Sequence, residues 1–348
     1  MAYVLAWEGL GGRIKVQPED FIVEELWNDR VVTVDYSIFQ ALKDLLQSKI
    51  HEPKDFLHFT LIKRNWDTVK ALRYMGFQLR CSLKRFGFAG QKDKRALTAQ
   101  RVSVWKKKIP ELRKVRLKDL KLKDFTYAEE PITLGSSTGN RFTVTIREIP
   151  KTRREIKRTL KAFYRRIDEG IPNFYGEQRL GKGDDNALVG KAIIEGNLKG
   201  AVEILLRKVK SYVDCGRTAE IPDVFWIEKR VLRHLEKLPN DYAGALRKIP
   251  KKIRRIFTHA YQSKIFNDRL LAFLIKGNCP ETIEIEGFDI PWMPELSCKT
   301  IKRNSFMTVR DFEILKVEDG SVTIRFKLNK GEYASVLLEE LIQGDWRT

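Results

Sequence analysis

Apolar and polar side chains alternate in several short segments of this chain. The period of two runs through residues 57–61, 142–146 and 322–328, and a shorter apolar piece lies at 282–285. Successive side chains of a strand point to opposite faces, so alternation of this kind predicts strands with one buried face. The pattern therefore places strands near both ends of the chain.

Residues 152–169 follow a helical pattern instead. Thr152 and Glu155 form the S/T-x-x-E signature of a capping box, and Gly170 supplies a stop signal. Apolar residues recur every three or four positions, as on one face of a helix, at Ile156, Leu160, Phe163 and Ile167. Weaker patterns predict further helices at 68–79, 187–195 and 198–209, in a long stretch after 241, and at 333–342.

The order of these elements indicates an α+β fold. A strand-rich part comes first, a mainly helical part starts near residue 186, and the chain ends with strands followed by a helix. Strands from both ends of a chain can share one sheet. The helical middle is therefore predicted to be inserted into a split outer domain.

The chain is strongly basic, with 66 Lys and Arg against 46 Asp and Glu and a net charge of +20. This excess predicts a polyanionic partner, without separating RNA from DNA or from a membrane surface. The predicted helix at 152–169 carries seven cations opposite its apolar face, namely Arg153, Arg154, Lys157, Arg158, Lys161, Arg165 and Arg166. They form either a solvated face or a surface that follows phosphates.

The four cysteines and the four histidines, His51 among them, show no spacing typical of a metal site, so no metal ligand is predicted. Scattered thiols suit a reducing cytosol, and a cytoplasmic protein is expected. Residues 1–13 are too short and too soon interrupted for a signal peptide. No run approaches the ~20 apolar residues that span a bilayer, so no membrane association is expected.

The most informative local feature is the segment GFAGQKDKRALTAQ at residues 87–100. Asp93 stands between Lys92 and Lys94, with Arg95 next. Neighbouring cations favour an ionised carboxylate. An acid inside a phosphate-binding surface would repel the ligand, so its presence there suggests chemistry. The alternative is a surface turn of mixed charge.

This segment resembles the central signature of the TruD family of tRNA pseudouridine synthases. Four other segments resemble motifs of that family in the family's order, namely IKVQPEDFIVEE (14–25), LGSSTGNRFTVTIRE (134–148), IPNFYGEQRLG (171–181) and, more weakly, LNKGEYASVLLEEL (328–341). One such match would be weak evidence, whereas collinear matches nearly from end to end are specific. No chemical role is assigned to residues 173–181.

The resemblance implies a pseudouridine synthase fold, which is α+β with a mixed, largely antiparallel sheet, interrupted by a mainly helical TRUD-type insert. Residues 1–169 and 308–348 are expected to form the split catalytic domain and residues 170–307 the insert, with the active cleft between them. The implied activity is that of an isomerase converting uridine to pseudouridine at tRNA position 13, in the D-arm. No metal, redox group or other small-molecule cofactor is implied, and a monomer is expected.

Asp93 aligns with the family's catalytic aspartate, whose ionised carboxylate is needed close to C1′ of the ribose. A carboxylate can attack there or stabilise cationic character, and the sequence leaves open attack at the sugar, attack at the base and elimination. Lys15 aligns with a basic residue expected to pair with Asp93, the alternative being a surface lysine at the start of a strand. Lys92 is expected to assist or to contact phosphate.

Four more residues align with substrate-binding positions. Phe142 matches the aromatic residue that stacks on the target base, although it also fits the apolar face of a strand. Asn140 matches a residue that hydrogen-bonds the uridine or orients Asp93, although Asn after Gly is also ordinary turn chemistry. Phe21 and Tyr333 match further aromatic positions of the pocket.

Two other functions use the same basic surface. A non-catalytic RNA-binding or RNA-chaperone protein would leave its RNA unchanged and would not need Asp93. A methyltransferase would need a cofactor site, and no Gly-rich turn between a strand and a helix indicates one.

Overall fold

The chain divides into two units. The computed structural model describes residues 8–36 and 54–344. Met1–Ile171 with Met307–Thr348 forms the first unit, and Pro172–Phe306 forms the second. His51 and the first seven residues, on which the signal-peptide interpretation partly rests, lie outside the described residues. The assignment of a catalytic role to the outer unit and an insert role to the middle one stays a prediction.

Most of the described strands lie in the first unit, and two others, at 282–285 and 301–304, lie in the second. The described strands, in chain order, are β1 (Phe21–Trp27), β2 (Arg30–Val31), β3 (Phe56–Arg64), β4 (Phe86–Phe88), β5 (Leu97–Trp105), β6 (Leu120–Ala128), β7 (Gly139–Ile146), β8 (Ile171–Pro172), β9 (Thr282–Ile285), β10 (Ile301–Asn304), β11 (Phe306–Met307), β12 (Arg310–Glu318) and β13 (Ser321–Asn329). Nine of them form one sheet in the order β12-β13-β7-β1-β5-β3-β6, with β2 beside β1 and β4 beside β5. Only β1 and β5 run parallel among the described pairs of this sheet. The predicted mixed, largely antiparallel sheet is confirmed.

Helices fill the second unit and flank the sheet of the first. The described α-helices are α1 (Thr68–Gln78), α2 (Ile109–Leu112), α3 (Arg153–Glu169), α4 (Glu177–Leu180), α5 (Asp185–Ile194), α6 (Leu198–Leu206), α7 (Lys210–Asp214), α8 (Trp226–Lys237), α9 (Tyr242–Arg247), α10 (Lys251–Lys276) and α11 (Ala334–Ile342). The capping box at Thr152 and Glu155 is present, and α3 ends at Gly170 with a φ of 103°. The helices predicted from periodicity are confirmed.

The sheet register decides which side chains meet. Val23 lies opposite Phe142 and Glu25 opposite Asn140, while Phe326 lies opposite Phe142 from the other side. Paired residues of neighbouring strands point to the same face of a sheet. These side chains of β1, β7 and β13 therefore share one face, which is called the site face below.

Two helices cover the site face at its two ends. At one end, Leu72 and Met75 of α1 belong to a buried apolar cluster with Phe59 of β3. At the other end, Phe163 of α3 packs on Phe312 of β12, with ring centroids 5.8 Å apart. Strands β1, β5 and β7 lie between these ends in the sheet order. Polar side chains on the central part of this face form the site described below.

The second unit has a core of its own. Val189, Val202, Leu246 and Phe257 belong to one buried apolar cluster drawn mainly from its helices. Strand β9 of the antiparallel pair β9–β10 contacts the 26-residue helix α10. Residues near the two ends of the unit are joined, because the backbone N–H of Asn173 donates to the carbonyl of Ser305 at 2.8 Å.

Candidate active site

Asp93 lies in the loop of residues 89–96 that joins β4 to β5, called the Asp93 loop below. Its Oδ1 accepts a hydrogen bond of 2.9 Å from Lys15 Nζ, and its side chain is 35% exposed. Lys15 Nζ also lies 4.1 Å from the ring centroid of Phe21. A carboxylate and an aromatic face both attract an ammonium. Lys15 therefore compensates the charge of Asp93 while part of the carboxylate stays accessible.

The backbone at Lys15 is in the left-handed region, with a φ of 59°. Residues other than glycine adopt this conformation rarely, and it persists where the surroundings enforce it. Two residues earlier, Arg13 exchanges both of its backbone hydrogen bonds with Arg147, at 2.7 and 2.9 Å. This bridge fixes the chain just before Lys15 and so directs its side chain toward Asp93.

The buried ammonium of Lys63 holds the Asp93 loop through its backbone. Lys63 is fully buried on β3, and its Nζ donates to the carbonyls of Trp66 at 2.6 Å, Asp93 at 2.8 Å and Lys92 at 3.3 Å. Burial lowers the pKa of Lys63 to about 8, against the opposing attraction of Asp93 and Asp67. The three carbonyls match the three donors of the ammonium.

Two neutral side chains hold the same loop from β5 and α1. Gln100 Nε2 donates to the carbonyl of Gly90 at 3.0 Å. Thr68 Oγ1 donates to Gln100 Oε1 at 3.0 Å and accepts from the backbone N–H of Lys92 at 3.1 Å. Both side chains are fully buried. The Asp93 loop has no regular secondary structure, so these hydrogen bonds determine its position.

Lys92 points inward, away from solvent. Its Nζ donates to Asn140 Oδ1 at 2.7 Å and lies 3.0 Å from Glu25 Oε1, and its side chain is 7% exposed. Glu25 is fully buried, and its other oxygen accepts from the backbone N–H of Arg101 at 2.9 Å. Lys92 therefore neutralises a buried carboxylate and orients Asn140. With Oδ1 facing the ammonium, Nδ2 is the atom through which Asn140 can donate to a ligand.

The ring of Phe142 belongs to an aromatic row on the site face. Phe326 stacks against it with ring centroids 5.4 Å apart, and Phe21 meets it edge-on at 6.0 Å. Phe142 is 6% exposed, so only a small part of its ring is accessible. The sequence leaves two roles open for Phe142, a core residue and a base-stacking residue. Its burial fits the first role, and the second stays a prediction.

Tyr333 is the residue just before α11 and is partly buried. The preceding turn is held by Glu332, whose two carboxylate oxygens accept from the backbone N–H groups of Thr308 and Asn329, each at 2.8 Å. Strand β13, which leads into this turn, pairs with β7 and ends opposite Gly139, beside Asn140. The fold thus brings the turn before Tyr333 to the end of β7 that carries Asn140, and its role in the pocket stays a prediction.

Sequence reasoning missed four buried residues of this site, Glu25, Lys63, Thr68 and Gln100. Two of them carried a signal, because Glu25 and Gln100 are the last residues of two of the family motifs. Lys63 carried another. It continues the alternation of 57–61 onto the apolar face of β3, where an unpaired lysine would be too costly to bury. A lysine at such a position predicts a set of acceptors around its ammonium.

Residues 8–36 and 54–344 contain neither a membrane-spanning helix nor a cluster of metal ligands. None of the helices there is both long enough and apolar enough to cross a membrane. Nor do three or more His, Cys, Asp or Glu side chains come together there as a metal site requires. The four cysteines are free thiols.

A family model described as tRNA pseudouridine synthase D (TruD) matches residues 1–282. The chain belongs to the TruD family. A probable tRNA pseudouridine synthase D of Methanosarcina acetivorans is 34% identical over 97% of this chain and 94% of its own length. A Methanocaldococcus jannaschii protein of the same description is 30% identical over 96% of both chains.

A TruD crystal structure from Methanosarcina mazei has the same fold. It matches with a TM-score of 0.73 and 26% identity, over 99% of this chain and 96% of that one. The predicted family and fold class are confirmed. TruD proteins are pseudouridine synthases, so the prediction of an isomerase is confirmed as well.

Proposed function

We propose that this TruD-family isomerase converts the uridine at tRNA position 13 to pseudouridine, with Asp93 as the catalytic carboxylate. The observation that carries the proposal is the pair of Asp93 and Lys15, 2.9 Å apart, with Asp93 on a loop that buried side chains hold from three elements. A carboxylate that is compensated, accessible and fixed in place is what glycosyl chemistry requires.

The reaction breaks the C1′–N1 bond of uridine and forms a bond between C1′ and C5. N1 gains a proton and C5 loses one, so no atom is gained or lost overall. Asp93 can act by attack at the sugar, by attack at the base or by elimination. Each route needs the carboxylate beside the target nucleotide, and the hydrogen bond from Lys15 holds Asp93 in a fixed orientation.

The target base has to leave its helix to reach Asp93, which costs stacking energy. Phe142, Phe21 and Tyr333 would offset part of that cost, since stacking on an aromatic ring contributes about 1–3 kcal/mol per base. Asn140 would donate from Nδ2 to a carbonyl oxygen of uracil. Its orientation by Lys92 supports this role.

The net charge of +20 supports a tRNA partner bound through its phosphates. The first unit would be the catalytic domain, because every residue proposed for the chemistry lies in it, and the second would be the TRUD-type insert. We expect the enzyme to act as a monomer in the cytoplasm.

Incubation of the purified protein with an unmodified tRNA transcript, without any added cofactor, tests the proposal. Pseudouridine should form at position 13 with the wild-type enzyme and not with Asp93→Asn, which should still fold and bind tRNA. Chemical modification specific for pseudouridine followed by reverse transcription maps the product. Unmodified RNA after incubation with the wild type would favour the non-catalytic RNA-binding function, and a fully active Asp93→Asn would refute the role of Asp93.

A further inference from the structure

The solvent face of α3 carries an excess of positive charge. Six of its cations are exposed, namely Arg153, Arg154, Lys157, Arg158, Lys161 and Arg165. Within the part of the chain that the structure describes, none of the six forms a salt bridge, whereas the seventh cation, Arg166, pairs with Glu340. Like charges three and four residues apart on a helix repel one another. A polyanion bound along this face would relieve that repulsion.

An apolar groove of about 480 Å³ lies beside this face, between α3 and the edge strand β12. Tyr164, Ile314 and Val317 contribute to its lining, and Lys157 and Lys161 stand at its rim. Tyr164 is 48% exposed and Ile314 is 45% exposed. An exposed aromatic ring among cations is the combination with which proteins bind single-stranded nucleic acid, since phosphates meet the cations and a base meets the ring.

The groove and Asp93 are on the same side of the sheet. A continuous row of rings runs across the site face, from Phe163 to Phe312 at 5.8 Å, Phe326 at 6.3 Å, Phe142 at 5.4 Å and Phe21 at 6.0 Å between successive centroids. The row starts on α3 and ends at the ring that contacts the ammonium paired with the catalytic carboxylate. An RNA whose uridine reaches that carboxylate can therefore extend over α3 without passing round an edge of the sheet.

We propose that the solvent face of α3 and the groove beside it, together called the α3–β12 surface, bind a segment of the substrate RNA outside the target nucleotide. Phosphates would lie along Lys157, Lys161 and Arg165, which follow one another at intervals of four residues, and an unpaired base or a ribose would lie on Tyr164. The inference rests on the proposed function, because it takes tRNA as the polyanion.

A charge-reversal variant tests the binding of phosphates. Lys157→Glu, Lys161→Glu and Arg165→Glu together should lower kcat/KM about tenfold or more, with a smaller change in kcat at saturating tRNA. The slope of log KM against log salt concentration should become shallower by about 2 to 3, because each cation that no longer neutralises a phosphate reduces the slope by about 1. The matched control is Arg230→Glu, Arg233→Glu and Lys237→Glu on α8, which changes the net charge equally. Equal effects of the two triple variants on KM and on the salt slope would overturn the proposal.

Tyr164 supplies a test that leaves the charge unchanged. Tyr164→Ala should raise KM several-fold, and Tyr164→Phe, which keeps the ring, should restore it. The Tm of each variant shows whether the substitution damages the fold. Tyr164→Phe serves as a second control, because it keeps the ring that packs on Phe312. Equal KM values for the wild type and Tyr164→Ala would overturn the role of the ring. A wild-type enzyme that forms no pseudouridine would instead refute the proposed function, so the two failures are distinguishable.

Discussion

Lys15 is the first residue to test, because its ammonium lies 2.9 Å from the carboxylate of Asp93. Lys15→Met removes the charge and keeps a side chain of similar shape. We expect kcat to fall about 10- to 100-fold, since a hydrogen bond to a charged group contributes roughly 1.5–3 kcal/mol and each 1.36 kcal/mol is tenfold in rate. The single-turnover rate of pseudouridine formation at saturating tRNA measures this effect.

Lys94 provides the matched control, because it is an exposed lysine in the Asp93 loop itself. Lys94→Met makes the same change of charge, and we expect it to alter KM more than kcat. A Lys15→Met enzyme with the wild-type kcat would remove the pairing with Asp93 from the mechanism.

Lys63 predicts an alkaline limit to activity. Its pKa is lowered to about 8, and loss of the proton leaves the amino group with one hydrogen-bond donor fewer for three carbonyls. We expect kcat to fall roughly tenfold as the pH rises through about 8, because the Asp93 loop is then less firmly held. In Lys63→Arg the guanidinium stays charged, so this limb of the pH profile should disappear. A variant with an unchanged limb would exclude Lys63 as its source.

The same pKa has the opposite effect on stability. The pKa of folded Lys63 lies below its ordinary value, so the unfolded chain binds this proton more tightly. The contribution of Lys63 to the free energy of unfolding therefore rises between about pH 8 and about pH 10.4. Activity should therefore fall over this pH range, whereas the deprotonation of Lys63 should not lower Tm. A Tm that fell in parallel with kcat would indicate general alkaline unfolding instead.

The residues proposed for the chemistry were easier to find in the sequence than the residues that hold them. Asp93 and Lys15 lie within contiguous motifs. Lys63 lies 30 positions before Asp93 and contacts its backbone carbonyl, and a carbonyl has no side-chain signature. The inward orientation of Lys92 depends on the register that places Glu25 opposite Asn140, which no local pattern indicates.

The Asp93 loop depends on its neighbours for its shape, and Thr68 at the start of α1 tests this dependence. Thr68→Val keeps the shape of the side chain but removes the hydroxyl that serves both Gln100 and the backbone of Lys92. We expect a loss of about 1–3 kcal/mol in the free energy of unfolding, because buried polar groups are left unpaired, together with a lower kcat. Denaturant unfolding and single-turnover kinetics measure the two effects.

Thr68→Ser is the matched control, since it keeps the hydroxyl and removes only a methyl group. It should restore most of kcat. Equal losses in the valine and serine variants would assign the effect to packing of the methyl group and not to hydrogen bonds that position the loop.

Strands with simple alternation were predictable, whereas β1 was not. The pattern at 57–61, 142–146 and 322–328 corresponds to β3, β7 and β13, since each has one face in the core. Strand β1 reads FIVEELW and buries two glutamates in succession. Glu24 is paired with Arg141 at 2.6 Å and Glu25 with Lys92 at 3.0 Å, on opposite faces. Their partners come from other segments, so the hydropathy of β1 alone does not identify a central strand.

Across the whole chain, the division into two units predicts that Pro172–Phe306 folds when it is expressed alone. Its apolar cluster is drawn from its own residues, and its ends are joined by hydrogen bonds of Asn173 to Ser305 at 2.8 Å and to Asn304 at 3.0 Å. A unit with its own core and adjacent ends is expected to unfold cooperatively. Circular dichroism should show a helical spectrum with a single thermal transition, and a spectrum typical of an unfolded chain would contradict the division.

The same fragment tests where the chemistry resides. Asp93, Lys15, Asn140, Phe142 and Tyr333 all lie in the other unit, formed by the outer parts of the chain. The fragment should therefore form no pseudouridine, and adding it in excess to full-length Asp93→Asn should restore none, because the missing carboxylate belongs to a unit that the fragment does not supply. Wild-type full-length protein at the same concentration is the positive control. Pseudouridine formed by the fragment alone would place a catalytic group between residues 172 and 306 and would remove Asp93 from its proposed role.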